Sequence, residues 1–516
     1  MASTRIIAAV VAPAVVLAAL GVPEGAVAAR KTVPEGAVAA RKSFDLQAHR
    51  GGIALRPENT LASFGNALRL GVSTLELDVQ ITKDGAAVVT HDRKVDAKKC
   101  GPAFAGRFIK DLTLAEVRTM DCGGTQLAGF PTQVPVPGAR MPLLSEVFDL
   151  VHTYDARGVK LNVETKVEAG APQETAPREQ FVRVVAAEVR RAGLLRQVTV
   201  QSFDWGALMR MGEVEPRLPL VALTNRDFLQ TGLPGASPWL GGLDIDDFGG
   251  DPIAAIRSFG ADALSPVYGW ARADGGYDPY VTAAMVSGAH RAGIKVVPWT
   301  VDDPAVMADL IRLGVDGLIT DYPDRLRTVL AGAGFALPRA YPSPFDLQAA
   351  GAEAIADPDV STLVTDSTAV FSAVRASGRT DLRVAVELGP GAADHRALIR
   401  EINRSGLAGR VSIRSYDWRK LPGIPTTAVV TQCCRFRDLG TLVKATGATT
   451  VSANWRVHDL ARPSVSVLQR RDHLKVIPWG ADDEQALQHV IDLGADGVVA
   501  GDRDLAILVA RRNGLR

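Results

Sequence analysis

The chain has little of several things. Only four of its 516 residues are cysteine and eight are histidine, and no spacing among them forms a zinc site. Net charge is almost missing, with 58 Lys and Arg against 57 Asp and Glu, which removes the electrostatic ground for a nucleic-acid or anionic-membrane partner. A small or neutral ligand is expected instead. A bilayer-spanning run is lacking too: the apolar stretch Ile6 to Val22 falls short of the roughly 20 residues required, and it contains Pro13.

That stretch follows the single positive charge of Arg5 and precedes the small-x-small sequence Ala26-Val27-Ala28. Residues 1–42 therefore read as a signal peptide and processing region, and the protein is expected to be secreted, extracellular or wall-associated, with no stable membrane span after processing. The segment VPEGAVAARK at 22–31 recurs at 33–42, which offers a second site at Ala37-Val38-Ala39. No cysteine adjoins the apolar run, so no lipid-modified N-terminus is expected. Export permits disulfides. Cys100 and Cys122 bracket a loop-rich stretch and are the expected pair, whereas the adjacent Cys433 and Cys434 leave three states open: reduced, joined in a strained ring, or paired elsewhere.

What is present is ample apolar content, 47%, in a chain long enough for two domains plus extras. From Phe44 onward short aliphatic strands alternate with amphipathic helical stretches, the pattern of a parallel α/β fold. Strands are expected at Leu46 to His49, Thr74 to Val79, Val159 to Thr165, Val198 to Ser202, Leu220 to Leu223, Ala263 to Ser265, Val296 to Thr300 and Gly317 to Asp321. Eight strands predict a (β/α)8 barrel. Val88 to His91 is left out of the count because the turn Lys83-Asp84-Gly85 makes it an antiparallel return.

In such a barrel the working residues sit at the C-terminal strand ends. His49 ends the first strand. The alternation Leu75-Glu76-Leu77-Asp78-Val79 puts two carboxylates on one face, and Asn162, Glu164 and Lys166 share a face of the next strand. The hairpin brings His91 beside Asp78. Ser202, Trp299 and Asp321 hold equivalent positions further round. Three carboxylates without thiolate ligands suit one hard divalent ion, Ca2+ or Mg2+. With Arg50 and Lys166 adding positive charge, the set is what a phosphoryl group with developing negative charge requires, and two histidines can divide proton donation and acceptance. Singly, each of these residues has a bland structural explanation. Pro57-Glu58-Asn59-Thr60 is a turn and helix start, Trp299 is as much core as substrate wall, and only the co-occurrence at strand ends points to phosphodiester cleavage.

The motifs HRG at 49–51, PENT at 57–60, ELDVQITKDGAAVVTHD at 76–92 and NVETK at 162–166, with VTVQSFDW, ADALSP, VVPWTVDD and DGLITDYPDRL after them, resemble the glycerophosphodiester phosphodiesterase family from about Phe44 to Leu330. The resemblance implies that His49 and His91 are the catalytic acid and base, that Glu76, Asp78 and Glu164 hold the metal, and that Arg50 and Lys166 bind the phosphate; Trp299 joins the substrate-binding candidates by its strand-end position alone. It implies a glycerol hydroxyl attacking phosphorus and a cyclic phosphate opened by water to glycerol 3-phosphate. It also implies a barrel over 43–335 with an inserted subdomain at about 93–141 that shapes the glycerol end of the pocket.

The last third repeats the first part of the chain. Phe345 to Ala349 repeats Phe44 to Ala48, VSIRSYDW at 411–418 repeats 198–205, and 474–502 tracks 294–321. A second, degenerate and compact barrel is expected over 341–516, past a Gly/Pro-rich linker at 331–344. Ala350 stands where His49 would be, Gly389 where Lys166 would be, and of the carboxylates Glu387 alone remains, for Glu164. This copy is expected to be inert and to bind substrate, cell-surface material or the first barrel. Two other readings of the whole are phospholipase D-like cleavage of lysophospholipid or sphingomyelin, which the insert argues against, and a non-catalytic cell-surface binding protein, which gives no reason for one copy to keep what the other lost.

Overall fold

The computed structural model describes residues 42–272, 276–389, 395–416, 423–431, 436–456 and 460–516. Residues 1–41 of the expected processing region, and Cys433 and Cys434, lie outside the described residues. Among the described residues no helix is long and apolar enough to cross a membrane.

Eight parallel strands form the first barrel: β1 Asp45–Ala48, β2 Thr74–Ile81, β3 Lys160–Thr165, β4 Val198–Ser202, β5 Leu220–Thr224, β6 Ala263–Pro266, β7 Lys295–Val296 and β8 Gly317–Thr320. Strands β1 to β7 pair in sequence order, and β1 also pairs with β8. The expected (β/α)8 architecture is borne out. Between β7 and β8 the ladder thins to single bonds, Asp316 N to Val296 O at 2.9 Å and Ile319 N to Pro298 O at 3.0 Å. The strand expected over Val296 to Thr300 shortens to two residues because Pro298 has no N–H to give to the ladder. Ala87–Val89 returns antiparallel against β2, with Val79 opposite Val89.

Strand β2 shows why the sequence folds this way. Leu75, Leu77, Val79 and Ile81 are fully buried against the surrounding helices, while Thr74, Glu76, Asp78 and Gln80, also buried, face the barrel axis. The axis is polar and internally bonded. Asn162 Nδ2 donates to Gln47 Oε1 (3.0 Å) and Gln201 Oε1 (2.7 Å), and Thr199 donates to Asn162 Oδ1 (2.9 Å). Helices start at side-chain caps: Thr60 and Ser63 form a capping box on Leu61–Leu70, and Asp204 and Asp303 cap Trp205–Val214 and Pro304–Leu313. The inserted segment has its own small core of Val95, Ile109, Leu112, Val117 and Met120, and Cys100 and Cys122 are joined there by a disulfide.

The second barrel is built from β9 Asp346–Ala350, β10 Thr362–Thr365, β11 Arg383–Leu388, β12 Val411–Ser415, β13 Thr426–Val430, β14 Thr450–Ala453, β15 Lys475–Val476 and β16 Gly497–Ala500, again all parallel and in sequence order. It is compact because some connections are minimal; only the short turn Ala352–Ile355 is helical between β9 and β10.

Residues 42–516 make one compact unit. The final residues lie against the first barrel: Gly514 O accepts from Tyr154 Oη (2.6 Å) and Arg69 Nη1 (3.3 Å), and Ser343 Oγ donates to Leu515 O (2.6 Å). Gly65 sits so close to Gly514 that a Cβ on it would come within 1.9 Å of the Gly514 carbonyl oxygen.

Candidate active site

The site begins where β1 ends. His49–Gly51 form a single tight helical turn, with Arg50 in the left-handed region at φ 53° and Gly51 at φ +81°. A side chain at position 51 would have its Cβ 2.4 Å from Ser63 Oγ, so glycine is required both for the backbone angle and for the approach of the helix Leu61–Leu70. The strained Arg50 backbone turns its N–H onto Glu76 Oε2 (2.8 Å), while its guanidinium donates to Glu58 Oε2 (3.0 Å) and lies 3.5 Å from Asp78 Oδ2. His49 Nδ1 lies 2.5 Å from Asp321 Oδ1, just past β8.

Parallel register places Asp78 opposite Glu164 on the neighbouring strand. Glu76, Asp78 and Glu164 offer oxygens within 4.8 Å of one another, and among the described residues no other group of three His, Cys, Asp or Glu side chains converges in this way. Gln201 Nε2 donates to Glu76 Oε1 (2.7 Å), Asn59 Nδ2 to Asp78 Oδ2 (2.8 Å), and Lys166 Nζ pairs with Glu164 Oε1 (2.8 Å). Asp78 Oδ1 is buried without a hydrogen bond, with the Lys166 ammonium 3.6 Å away. Burial, followed by the charge of Asp78, raises Glu76 to about 8, and burial raises Glu164 to about 7. Asp78 is equally buried, yet Lys166, His91 and Arg50 hold it well below the usual carboxylate range. A buried oxygen that accepts no hydrogen bond, between two carboxylates that resist ionisation, is the environment a hard cation relieves, so the residues present fit a divalent ion.

His91 follows the return strand, and Thr90 N donates to Asp78 O (2.9 Å). Its Nδ1 is 2.8 Å from Asp92 Oδ1. The two histidines titrate apart. Burial and then Lys166 lower His91 to about 4, whereas for His49 burial and Arg50 are outweighed by Asp321 and Glu76, leaving it raised.

His49, Arg50, Glu76, His91, Glu164, Lys166 and Trp299 line an inner cavity of about 80 Å³. His91, Glu164, Lys166, Phe203 and Trp299 also line an outer vestibule of about 850 Å³, walled further by Phe228 and Trp239, whose rings stack at 4.2 Å. Trp299 therefore forms pocket wall, held by its Nε1 on Ser265 O (2.9 Å). Ser202 is the exception among the positions expected at the site. It is fully buried and donates to Thr165 O, because the two-residue period turns it outward and turns its neighbour Gln201 inward. Gln201 was thus readable from the alternation. Asp92 closes the motif at 76–92, whereas Phe228 and Trp239 carry no local signal, since the short helical turns Arg226–Leu229 and Pro238–Leu240 bring them in.

Residues 49–325 match the model of the Glycerophosphoryl diester phosphodiesterase family. The chain belongs to this family. It is 31% identical over 287 residues to a glycerophosphodiester phosphodiesterase of Caldanaerobacter subterraneus subsp. tengcongensis, covering 56% of this chain and 98% of that protein. A crystal structure from Silicibacter pomeroyi bearing the same family name is 31% identical, with a TM-score of 0.49 and coverage of 57% of this chain and 95% of that chain. An Oleispira antarctica phosphodiesterase solved with the product sn-glycerol-3-phosphate is 20% identical, with a TM-score of 0.41 and coverage of 56% and 97%.

The phosphodiesterase match ends before the second barrel. There Glu387 stands opposite Arg414 in register, as Glu164 stands opposite Gln201 in the first barrel. The Arg414 guanidinium, almost fully buried, donates to Glu387 Oε2 (3.1 Å) and Gln348 Oε1 (3.3 Å), and Tyr416 Oη donates to Glu387 Oε1 (3.0 Å). A fixed internal cation thus neutralises the one retained carboxylate.

Proposed function

We propose that the first barrel hydrolyses small glycerophosphodiesters to glycerol 3-phosphate and an alcohol, with one divalent cation, Ca2+ or Mg2+, held by Glu76, Asp78 and Glu164. The observation that carries this is the buried carboxylate triad, in which Asp78 Oδ1 accepts no hydrogen bond, next to two histidines whose proton affinities are pushed in opposite directions. The bound cation would supply charge stabilisation to a non-bridging phosphoryl oxygen.

His91, neutral at pH 7, accepts the proton of the attacking glycerol hydroxyl as the oxygen–phosphorus bond forms. His49, whose proton affinity Asp321 raises, donates to the departing alcohol oxygen. In the second half the roles reverse: water attacks the cyclic phosphate, gives its proton to His49, and His91 returns a proton to the glycerol oxygen. Arg50 and Lys166 hold the phosphate, and Trp299 closes the wall beside it. Family membership supports the substrate class. The signal-like N-terminus supports export, which secretion of the mature chain by an expressing cell would test.

The deciding experiment is release of glycerol 3-phosphate from glycerophosphocholine, with and without a chelator, by the wild type, Glu76→Gln and His49→Ala. Release that needs metal and is lost in both variants is expected. A folded, metal-loaded protein that released none, but released a cyclic phosphate from lysophosphatidylcholine, would replace this reading with the phospholipid one.

A further inference from the structure

Lys99 lies in the short helix Ala97–Cys100 of the inserted segment, outside both the carboxylate triad and the histidine pair. Its ammonium is 3.0 Å from Glu58 Oε1 and 2.6 Å from Asp92 Oδ2. Those two carboxylates serve different halves of the site. The other oxygen of Glu58 takes the Arg50 guanidinium, and the other oxygen of Asp92 contacts Nδ1 of His91. Arg50, Glu58, Lys99, Asp92 and His91 therefore form one alternating chain of charges. It starts in the turn after β1, passes through the inserted segment, and ends at the hairpin.

We propose that Lys99 is a positioning residue that, through Asp92 and Glu58, orients the His91 ring and the Arg50 guanidinium together, and that the Cys100–Cys122 disulfide anchors it for this task. The inserted segment is then part of the catalytic machinery and not a covering of it. This deepens the function proposed above and rests on it.

Satisfied charge holds this chain of residues in place. Glu58 is about nine-tenths buried and Asp92 about two-thirds buried, and Lys99 is the cation that bridges them. A carboxylate with two ligands on its two oxygens has one orientation, and it hands that orientation to the histidine or arginine on its far side. The link to the disulfide is covalent adjacency: Cys100 follows Lys99 directly and is buried in the small core of the insert, so the backbone carrying Lys99 cannot drift. His91 is faced by Asp78, Asp92 and Glu164 with negative charge and by Lys166 and Arg50 with positive charge. Lys99 acts on it by sharing Asp92. Without Lys99, the full charge of Asp92 bears on His91 and favours its protonated form, the form that cannot accept a proton.

The test uses the full chain with saturating Ca2+ and follows glycerol 3-phosphate release from glycerophosphocholine between pH 5 and 9. The variants are Lys99→Met, Lys99→Arg and the double variant Cys100→Ser/Cys122→Ser. Lys99→Met is expected to lower kcat by about tenfold to a hundredfold with a smaller change in KM, and to move the acid limb of kcat/KM to higher pH. Lys99→Arg is expected to restore most of the rate and the position of that limb. The double cysteine variant is expected to move both in the direction of Lys99→Met. The proposal is overturned by wild-type kcat and an unmoved limb in Lys99→Met, or by a loss with an unmoved limb that Lys99→Arg does not rescue, which is the mark of a merely structural role. A double variant equal to wild type overturns the part given to the disulfide. NMR titration of the His91 ring in wild type and Lys99→Met keeps this separate from the function itself. If the wild type released nothing, the functional reading would fail, yet an upward shift of His91 in the variant would still support Lys99, and no shift would overturn it.

Discussion

Arg414 and Gln201 hold the same strand position in two copies of one fold, and the first puts a guanidinium on Glu387 where the second, a neutral amide, donates to Glu76. A pocket already neutralised by its own side chain has no use for an ion. One divalent cation per chain is therefore expected by equilibrium dialysis or calorimetry, falling to none in Glu76→Gln. Arg414→Gln is expected to gain no second ion, because a single carboxylate remains there.

The metal-free protein is expected to lose stability as pH rises. Glu76 and Glu164 are raised to about 8 and about 7 when folded, so between the unfolded carboxyl range near 4.5 and pH 8 the folded state holds more protons than the unfolded one. Stability then falls across that window. Adding Ca2+ or Mg2+ at a hundredfold excess over Kd is expected to return about 2.7 kcal/mol, read as a rise in Tm at pH 8 that Glu76→Gln does not show.

Removing the Asp321 carboxylate should narrow the active pH range from the basic side. In Asp321→Asn the hydrogen bond and charge that raise His49 are lost, so His49 gives up its proton at lower pH. The basic limb of kcat is expected to move down, with a loss of about tenfold to a hundredfold at pH 8 and a smaller loss at pH 6. A uniform loss at all pH values would refute the link between Asp321 and the proton on His49.

Gly65→Ala tests the seam between the barrels. The new Cβ would lie 1.9 Å from Gly514 O, so the C-terminal residues must move away. A destabilisation of about 1–3 kcal/mol is expected in urea unfolding. The active site lies elsewhere on the barrel, so KM is expected to stay near its wild-type value.

Much of this protein could be read from its sequence because the signals are local. The two-residue period alone puts Glu76 and Asp78 on one face, and the Lys83-Asp84-Gly85 turn alone folds His91 back toward them. The repeat of Phe44 to Ala48 at Phe345 to Ala349 exposes the second barrel, and Ala350 stands there in the place of His49. The period also marks Gln201, although Ser202, at the strand end, looked the better candidate.

Tertiary structure decided the rest. That Glu164 stands opposite Asp78, that Asp321 closes the ring onto His49 from 272 residues away, and that Lys99 ties Glu58 to Asp92 are consequences of strand register, barrel closure and insert folding. No sequence window contains both partners of such contacts. The same holds for Gly514 against Gly65 and for the stacked Phe228 and Trp239, which two short helical turns carry to the rim. The sequence by itself determined which residues face inward and which copy kept its carboxylates, because side-chain direction follows from backbone period. Only the closed barrels decided which of those residues meet, because distance and burial, and with them every shifted proton affinity at the site, arise when the chain packs against itself.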